Sequence, residues 1–462
     1  MSPTPARARL SGEIRATLAL ALPLVLGQLA AVGMNVIDSL LAGRHGAVTL
    51  AAVAVGSAIW SVVMMLLLGV LMALPPMVSQ LDGAGRRDRI GPLFRQALWL
   101  AGLLSAALLV ALRFTPAMLA ALGIDPAVRP GAQAFLGALA FGTPALALHL
   151  CCRYLSEGVG RTRPTMVIGL AGLVLLAPLG YALMHGGLGI PAMGAAGLGA
   201  ATAVVLWLQA AAYLFWLHRG PAYADLGLTA RLEPPDPVLL GQILRLGVPL
   251  GIAVLMEGLL FVAAAVVIGG MGEVAAAAHQ IAVNLASVLF MVPLGVAMAT
   301  TVRVGFAAGA GDVSGVRRAC RAGFAITLCT QLAAAALLVG AGRGLAGLYS
   351  GEGAVVAAAM PLLQLAAAFQ LSDGFQVAAA GALRGLKDTR MLMLLTALAY
   401  WGVGMPAGTA LAFLAGWGAA GMWAGLVLGL TVAALLLGAR LWRLLARLDP
   451  PRRAAAGGAG HG

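Results

Sequence analysis

Apolar residues fall along the chain into twelve long stretches separated by short polar segments. Each stretch is long enough for a helix that crosses a bilayer, which takes about 20 residues. The stretches start near residues 17, 51, 93, 132, 163, 193, 243, 276, 318, 355, 391 and 419. The pattern therefore predicts an all-α integral membrane protein with twelve transmembrane helices.

The composition excludes an ordinary soluble protein, because 61% of the 462 residues are hydrophobic and only 10% are charged. The net charge of +13 would suit a nucleic-acid-binding protein, but the basic residues alternate from loop to loop. With a cytoplasmic N-terminus, the termini and even-numbered loops hold 25 of the 29, Arg153 and Arg384 included. The odd-numbered side holds only Arg44, Arg113, Arg129 and Arg343. The positive-inside rule then predicts a bacterial inner-membrane protein in contact with the lipid bilayer, with both termini cytoplasmic and no nucleic-acid partner.

The chain contains an internal repeat with an offset of about 226 residues. "ALPLVLGQL" from Ala21 is similar to "GVPLGIAVL" from Gly247, and "EGVGRTR" from Glu157 is similar to "RGLKDTR" from Arg384. The offset of 226 also pairs Gly43 with Gly269, Gly69 with Gly295, Arg95 with Arg321, and "GAG" at 83–85 with "GAG" at 309–311. We interpret the chain as a duplication.

The duplication divides the predicted spans into two lobes of six helices. Residues 1–218 form the N-lobe, 219–242 a cytoplasmic linker, 243–447 the C-lobe and 448–462 a disordered tail. Because six is an even number, both lobes enter the membrane in the same direction and are related by a pseudo-two-fold axis along the membrane normal. Two such lobes around a cavity are typical of a secondary transporter.

Three acidic residues lie deep inside apolar spans: Asp38 on the first, Glu257 on the seventh and Asp373 on the tenth. A charged group at the bilayer centre costs about 2.5 to 3.5 kcal/mol on translocon scales. At 1.5 Å per residue, Glu257 lies roughly 18 Å from Arg245 and Asp373 roughly 16 Å from Arg384, so the two acids share a level near the midplane. Such a pair can bind a proton, or a Na⁺ ion with oxygens from neighbouring groups.

A packing role is the alternative, in which each acid meets a neutral donor: Gln28, Gln280, Asn284, Gln370 or Gln376. On the eighth span, Gln280, Asn284 and Ser287 share one helical face, which either lines a cavity or bonds to other helices. The methionines, Met291 among them, suit a yielding apolar cavity and equally suit gap filling.

The sequence offers no metal-binding spacing of histidines and cysteines, and "GAGRRD" and "GAGDVS" lack the Gly-Lys-Ser/Thr ending of a P-loop. We therefore expect no cofactor, no disulfide and no ATP-driven pumping.

Several stretches resemble the multidrug and toxic compound extrusion (MATE) family, in particular its bacterial NorM-type branch. These stretches are "DSLLAG", "MALPPMVSQLDGAGRR", "HQIAVNLASVLFMVPLGVAMATTVRVG" and "FQLSDGFQVAAAGALRGLKDT". The resemblance implies a V-shaped antiporter of the MOP superfamily that exchanges sodium ions or protons for cationic amphipathic drugs. It also implies that Glu257 and Asp373 bind the coupling cation and that Asp38 is the corresponding acid of the N-lobe.

Two positions depart from the family's pattern. The fifth span of NorM-type members carries a motif similar to Asn-x-Pro-x-Asn-Tyr, whereas this chain has Leu176 and Gly180 at the asparagine positions. Some sodium-coupled members have a tyrosine one turn before the tenth-span acid, whereas this chain has Phe369. Both departures remove oxygen ligands, which weakens the N-lobe as a cation site and favours a proton in the C-lobe.

The function expected from the sequence is cation-coupled multidrug export by a monomer, with small cationic substrates. A flippase for a lipid-linked or other endogenous substrate is the first alternative, which we disfavour because no basic residue is predicted at mid-membrane depth. A membrane enzyme is the second, and the short loops show no catalytic constellation.

Overall fold

A computed structural model describes residues 5–186, 189, 191–228 and 233–448 of the protein. This part of the chain is helical and contains no strand. The predicted tail, apart from Leu448, lies outside the described residues, so its predicted disorder stays a prediction.

Eleven described helices are long and apolar enough to cross a membrane, and a pair bent by 48° makes a twelfth span. The prediction of twelve spans is confirmed. In chain order they are α1 (Pro5–His45), α2 (Ala47–Gly83), α3 (Ile90–Arg113), α4 (Arg129–Ala140 and Thr143–Gly158), α5 (Arg163–His185), α6 (Ala195–Arg219), α7 (Pro237–Gly269), α8 (Glu273–Gly309), α9 (Val313–Tyr349), α10 (Gly353–Gly385), α11 (Thr389–Leu414) and α12 (Gly418–Arg447). Three short helices, Arg87–Arg89, Thr115–Ala121 and Pro221–Leu226, lie in the connections.

Prolines mark the interruptions of these spans. In α2 the helix Ala47–Leu71 is followed by Leu74–Gly83, which has a proline in its first turn, and the second half of α4 begins in the same way. In α11 two π-helical segments, Leu398–Gly404 and Ala410–Leu414, flank Met405–Thr409. Proline has no N–H for the helical ladder, which accounts for breaks at these places.

The connection between the lobes is shorter than the predicted segment 219–242. Helix α7 begins at Pro237 rather than near residue 243, because the Asp236 side chain accepts hydrogen bonds from Val238 N (2.8 Å) and Leu239 N (3.4 Å). An aspartate before a proline at the first helical position is a strong start signal.

The described part of this connection is fixed to α3. Arg95 donates to the Glu233 carboxylate at 2.6 Å and to the Gly227 carbonyl at 2.6 Å. The buried Gln96 donates to Pro234 O at 2.9 Å and accepts from Asp236 N at 2.8 Å. The connection is therefore held against the N-lobe rather than free in solution.

The repeat is visible as paired contacts between the lobes. A Cβ on Gly69 of α2 would overlap the Cα of Gly251 on α7, and a Cβ on Gly295 of α8 would overlap Val25 on α1. Adding 226 to Gly69 and Val25 gives Gly295 and Gly251. The two contacts are thus the same contact related by the pseudo-two-fold axis, which confirms the predicted relation between the lobes.

A second pair of contacts obeys the same rule near the ends of α2 and α8. Gly83 packs on the Phe306 carbonyl and Gly309 on the Gln80 carbonyl, each too closely for a Cβ. Arg303 and Glu13 add an ion pair between the lobes at 2.7 Å. The lobes are therefore closed against each other in the half of the molecule where α1 begins and α12 ends.

Candidate functional site

Two of the three predicted acids lie together. Glu257 of α7 and Asp373 of α10 line one cavity of about 60 Å³ in the C-lobe, walled by Phe261, Phe369 and Ser287 among others. The cavity forms because α8 packs against both α7 and α10. This arrangement brings both carboxylates to the same small space, as their equal depth in the sequence predicts.

Neither carboxylate has a neutral partner. Within the described part of the chain, Glu257 and Asp373 make no hydrogen bond or ion pair, although the charge of the buried Arg384 acts on Glu257 from beyond ion-pair distance. Asp373 is 2% exposed. Two carboxylates in one apolar cavity repel each other unless a proton or cation neutralises one of them.

The amide side chains of α10 do not bond to the acids within the described part of the chain. Gln370 accepts from Gln331 at 2.8 Å and donates to Ala286 O at 3.2 Å, so it joins α8, α9 and α10 rather than lining the cavity. Gln376 is buried, and its Oε1 has no hydrogen-bond partner among the described residues. The structure therefore places both glutamines in helix packing and neither on an acid.

The polar face of α8 is divided. Gln280 donates to Asn284 at 3.0 Å, so the exposed end of the face bonds within its own helix and to neither neighbouring helix nor acid. Ser287 lies against the C-lobe cavity. Phe369, at the position of the family's tyrosine, packs edge-on against Phe261 (5.9 Å between ring centroids) and Trp423 (5.8 Å). At this position, therefore, the chain has packed aromatic rings and lacks the hydroxyl of the family's tyrosine.

The third acid, Asp38, lies in a separate cavity of about 250 Å³ in the N-lobe. One carboxylate oxygen accepts a long hydrogen bond of 3.5 Å from Thr202, and the other oxygen has no partner among the described residues. Trp60 and Phe135 form part of the wall, and Met291 reaches it from the C-lobe. This cavity is roomy, and beside its aromatic and methionine walls it contains one carboxylate oxygen without a hydrogen-bond partner among the described residues.

The other end of the N-lobe cavity contains residues whose position the sequence did not predict correctly. Arg153, assigned above to a cytoplasmic loop, lies inside α4, is 9% exposed and lines the cavity. It donates to Glu157 at 2.7 Å and to the Gln28 side-chain oxygen at 2.9 Å. Gln28 is therefore a hydrogen-bond partner of this arginine and not of Asp38. His149, one turn earlier, is also buried in the wall, and its Nδ1 has no partner among the described residues.

Arg384 requires the same correction. It lies in α10, 7% exposed, and lines a small cavity between the lobes with Tyr154 and Glu157. The assignment of these two basic residues to loops is therefore wrong, because both lie in helices and are buried. The spacing of Arg153 and Glu157, four residues apart, could have indicated an ion pair on one helix face.

The two departures in α5 are explained by packing. Leu176 is fully buried in a small cluster with Ala201 and Val205 of α6. A Cβ on Gly180 would lie 2.9 Å from Leu41, so the site leaves no room for an asparagine without movement. These positions are filled by apolar contacts and supply no oxygen to Asp38.

Within the described ranges, no group of three or more His, Cys, Asp or Glu residues has the geometry of a metal site. The donors at Glu257 and Asp373, two carboxylates beside the Ser287 hydroxyl, are the hard oxygen ligands that a sodium ion would require.

Comparisons with known proteins agree with this architecture. The family model described as MatE matches residues 23–182 and 249–409, two segments whose starts differ by the repeat offset. Over 97% of this chain and 98% of its relative, the sequence is 51% identical to a protein of Xanthomonas axonopodis pv. citri (strain 306) named "Probable multidrug resistance protein NorM". It is 42% identical, over 94% and 92% of the two chains, to "Multidrug resistance protein PmpM" of Pseudomonas aeruginosa.

Solved structures share the fold at low identity. One, described as the outward-facing conformation of a multidrug resistance MATE family transporter of the MOP superfamily, has a TM-score of 0.87 at 20% identity, covering 97% of this chain and 99% of that one. The eukaryotic MATE transporter AtDTX14 has a TM-score of 0.85 at 21% identity, covering 95% and 98%. With twelve spans, two lobes related by an axis between them and a family match in each lobe, the chain belongs to the MatE family of membrane transporters and is not an enzyme.

Proposed function

We propose that the protein is a secondary active multidrug exporter that antiports H⁺ or Na⁺ against cationic, amphipathic compounds by alternating access. The observation that carries the proposal is the C-lobe cavity, in which Glu257 and Asp373 meet without a hydrogen-bond or ion-pair partner. The names of the relatives as multidrug resistance proteins support the cargo.

The C-lobe cavity suits a coupling cation because of its charge. Two carboxylates in an apolar site carry an unfavourable desolvation and repulsion free energy, which binding of a proton or a Na⁺ ion removes. Since the cavity lies among α7, α8 and α10, and α7 and α8 also carry the contacts between the lobes, its occupancy can favour one lobe arrangement over the other. The absence of a tyrosine hydroxyl at Phe369 favours the proton.

The N-lobe cavity suits the substrate. Its aromatic and methionine walls accept apolar surfaces of different shapes, and the unpaired oxygen of Asp38 attracts a cationic group. Because Met291 of the C-lobe forms part of this wall, movement of the lobes would change the cavity. Substrate and coupling ion would then act on the same two-state rearrangement.

The flippase alternative gains one observation, since the structure places Arg153 in the wall of the N-lobe cavity. Its charge is, however, neutralised by Glu157 at 2.7 Å, and Glu157 is almost fully buried. A lipid phosphate would have to compete with this carboxylate for the guanidinium. The multidrug exporter therefore agrees better with the charges of the cavity.

The test is ethidium efflux from de-energised cells or inverted vesicles, driven separately by an imposed pH gradient and an imposed Na⁺ gradient. We expect one gradient to drive export in the wild type and export to be lost in Glu257→Gln and in Asp373→Asn. Glu273→Gln is the matched control, because Glu273 is exposed at the start of α8 and should be neutral on replacement. Gradient-driven export that survives in both cavity variants would refute the coupling role.

A further inference from the structure

A groove of about 680 Å³ opens between the start of α9 and the end of α12, on the membrane face where both ends of the described chain lie. Its floor is apolar, formed by Phe324, Leu441 and Leu445, and its rim carries Arg321 and Trp442. The Trp442 side chain is 73% exposed. Basic groups and an exposed tryptophan around an apolar floor are features of the membrane–water interface.

The equivalent groove of the N-lobe indicates which kind of ligand this groove could bind, because the connection between the lobes occupies it. Arg321 is equivalent to Arg95 at the offset of 226, and Arg95 binds the Glu233 carboxylate at 2.6 Å. Trp99 donates to the Glu233 backbone carbonyl at 3.0 Å. In the N-lobe, therefore, this arginine position binds an anionic oxygen that the connection between the lobes supplies.

The C-lobe groove has an arginine where its N-lobe counterpart has a glycine, and this difference affects what can bind there. Gly91 lets the connection pack directly on α3, since a Cβ there would overlap the Leu226 carbonyl. At the equivalent position α9 carries Arg317, whose guanidinium donates to Leu445 O at 3.0 Å on the groove wall. A backbone therefore cannot approach α9 as closely as the connection approaches α3.

Arg321 is exposed and makes no hydrogen bond or ion pair with any residue that the structure describes. Asp312, the nearby acid at the start of α9, is already bound by Arg318 at 3.0 Å and by Gly315 N. Arg321 thus carries an uncompensated positive charge at the rim of an apolar groove. Its N-lobe equivalent, Arg95, is neutralised by Glu233.

We propose that this groove binds the headgroup of an anionic glycerophospholipid, with the phosphate on Arg321 in the place that the Glu233 carboxylate takes on Arg95. The acyl chains lie along Phe324 and Leu441, and the Trp442 indole lies at headgroup level. Basic pockets between transmembrane helices are known to recognise anionic lipids in this way. Residues 449–462 are the other candidate occupant, since they follow α12 and contain Asp449, but with Arg452 and Arg453 they carry more positive than negative side chains, which makes them less suited than an anionic headgroup to a basic groove.

The experiment is native mass spectrometry of the full-length protein in detergent, titrated with phosphatidylglycerol or with phosphatidylcholine of identical acyl chains. We expect one phosphatidylglycerol to remain bound at concentrations where phosphatidylcholine dissociates. Arg321→Gln should raise the concentration needed by about tenfold, because it removes a hydrogen bond between two charged groups. Arg321→Lys should retain most of the preference, because it keeps the charge.

The matched control is Arg443→Gln, which removes the same charge from the exposed side of α12 next to Trp442 but outside the groove. Equal losses in Arg321→Gln and Arg443→Gln would indicate general surface attraction and overturn the proposal. Equal binding of phosphatidylcholine, or displacement by millimolar inorganic phosphate, would also overturn it. So would lipid binding that appears only after deletion of residues 449–462, which would assign the groove to the tail. Melting of each variant in phosphatidylcholine checks that its fold is intact.

Discussion

Glu157 and Arg384 occupy equivalent positions in the two repeats, 227 residues apart, and both line one small cavity between the lobes. The duplication has thus placed opposite charges at equivalent positions that meet between the lobes. Glu157 is also bound by Arg153 at 2.7 Å and by Thr165 at 3.1 Å, so its hydrogen bonds and its ion pair lie within the N-lobe.

Replacement of Glu157 by Gln should destabilise the protein strongly. The change leaves the buried Arg153 guanidinium without its carboxylate, and breaking a buried ion pair costs about 3 to 5 kcal/mol. Unfolding in detergent measures the loss. The double variant with Arg153→Gln should be less destabilised than the sum of the single variants, because the second change removes the uncompensated charge. Additive losses would contradict the proposed coupling.

Replacement of Gly69 by Leu should disfavour the arrangement seen here, in which the lobes are closed on the face where the chain ends lie. A side chain at this position overlaps Gly251 of the other lobe, whereas a more open arrangement has room for it. We expect faster maleimide labelling of Ser79→Cys, a fully buried position in α2, in a background without native cysteines. Gly102→Leu is the control, since no atom lies within 4 Å of a Cβ there. Equal labelling rates in both variants would contradict the prediction.

Replacement of Phe369 by Tyr should increase the response of transport to sodium. The new hydroxyl would extend from a ring that already lines the cavity of Glu257 and Asp373, and it would supply an oxygen ligand that a Na⁺ ion needs and a proton does not. Ethidium efflux under imposed Na⁺ and pH gradients gives the ratio of the two responses. Phe261→Tyr, on the neighbouring helix α7 in the same cavity, tests whether the position of the hydroxyl matters. A ratio unchanged in Phe369→Tyr would show that the missing hydroxyl does not decide the coupling ion.

Replacement of Gln96 by Ala should loosen the connection between the lobes. The buried amide bonds both Pro234 O and Asp236 N, so its loss removes two hydrogen bonds at a cost of about 2 kcal/mol. Hydrogen–deuterium exchange of residues 221–228 should accelerate. The exposed Gln242, replaced by Ala in the same way, should leave the exchange unchanged. Similar exchange in both variants would show that Arg95 and Trp99 suffice to hold the connection.

The sequence predicted the features that depend on period and composition. Twelve apolar stretches became twelve spans, and the repeat offset reappears in the contacts of Gly69 with Gly251 and of Gly295 with Val25. The shared cavity of Glu257 and Asp373 was predicted from their equal depth in the membrane, because the rise per residue of a helix gives the depth of a side chain from its position in the sequence.

The sequence failed where a residue's surroundings depend on a neighbouring helix. Arg153 and Arg384 look like loop residues because they stand close to polar turns, yet both lie in helices whose last turns are covered by the other lobe. The partners of Gln28 and Gln370 could not be predicted either, because Arg153 and Gln331 lie on other helices. The boundary between the linker and α7 was also not predicted, because it depends on the cap that Asp236 provides at the start of the helix.

The paired glycine contacts have a consequence for how such a molecule can be assembled. Each lobe presents the same patch to the other, so the interface is isologous, as in a symmetric dimer of two separate chains. The covalent connection then supplies a high local concentration of one half near the other, while the geometry of association is encoded in the patch itself. Two half-length polypeptides, divided between α6 and α7, therefore carry the information to reassemble the closed face without a peptide bond between them.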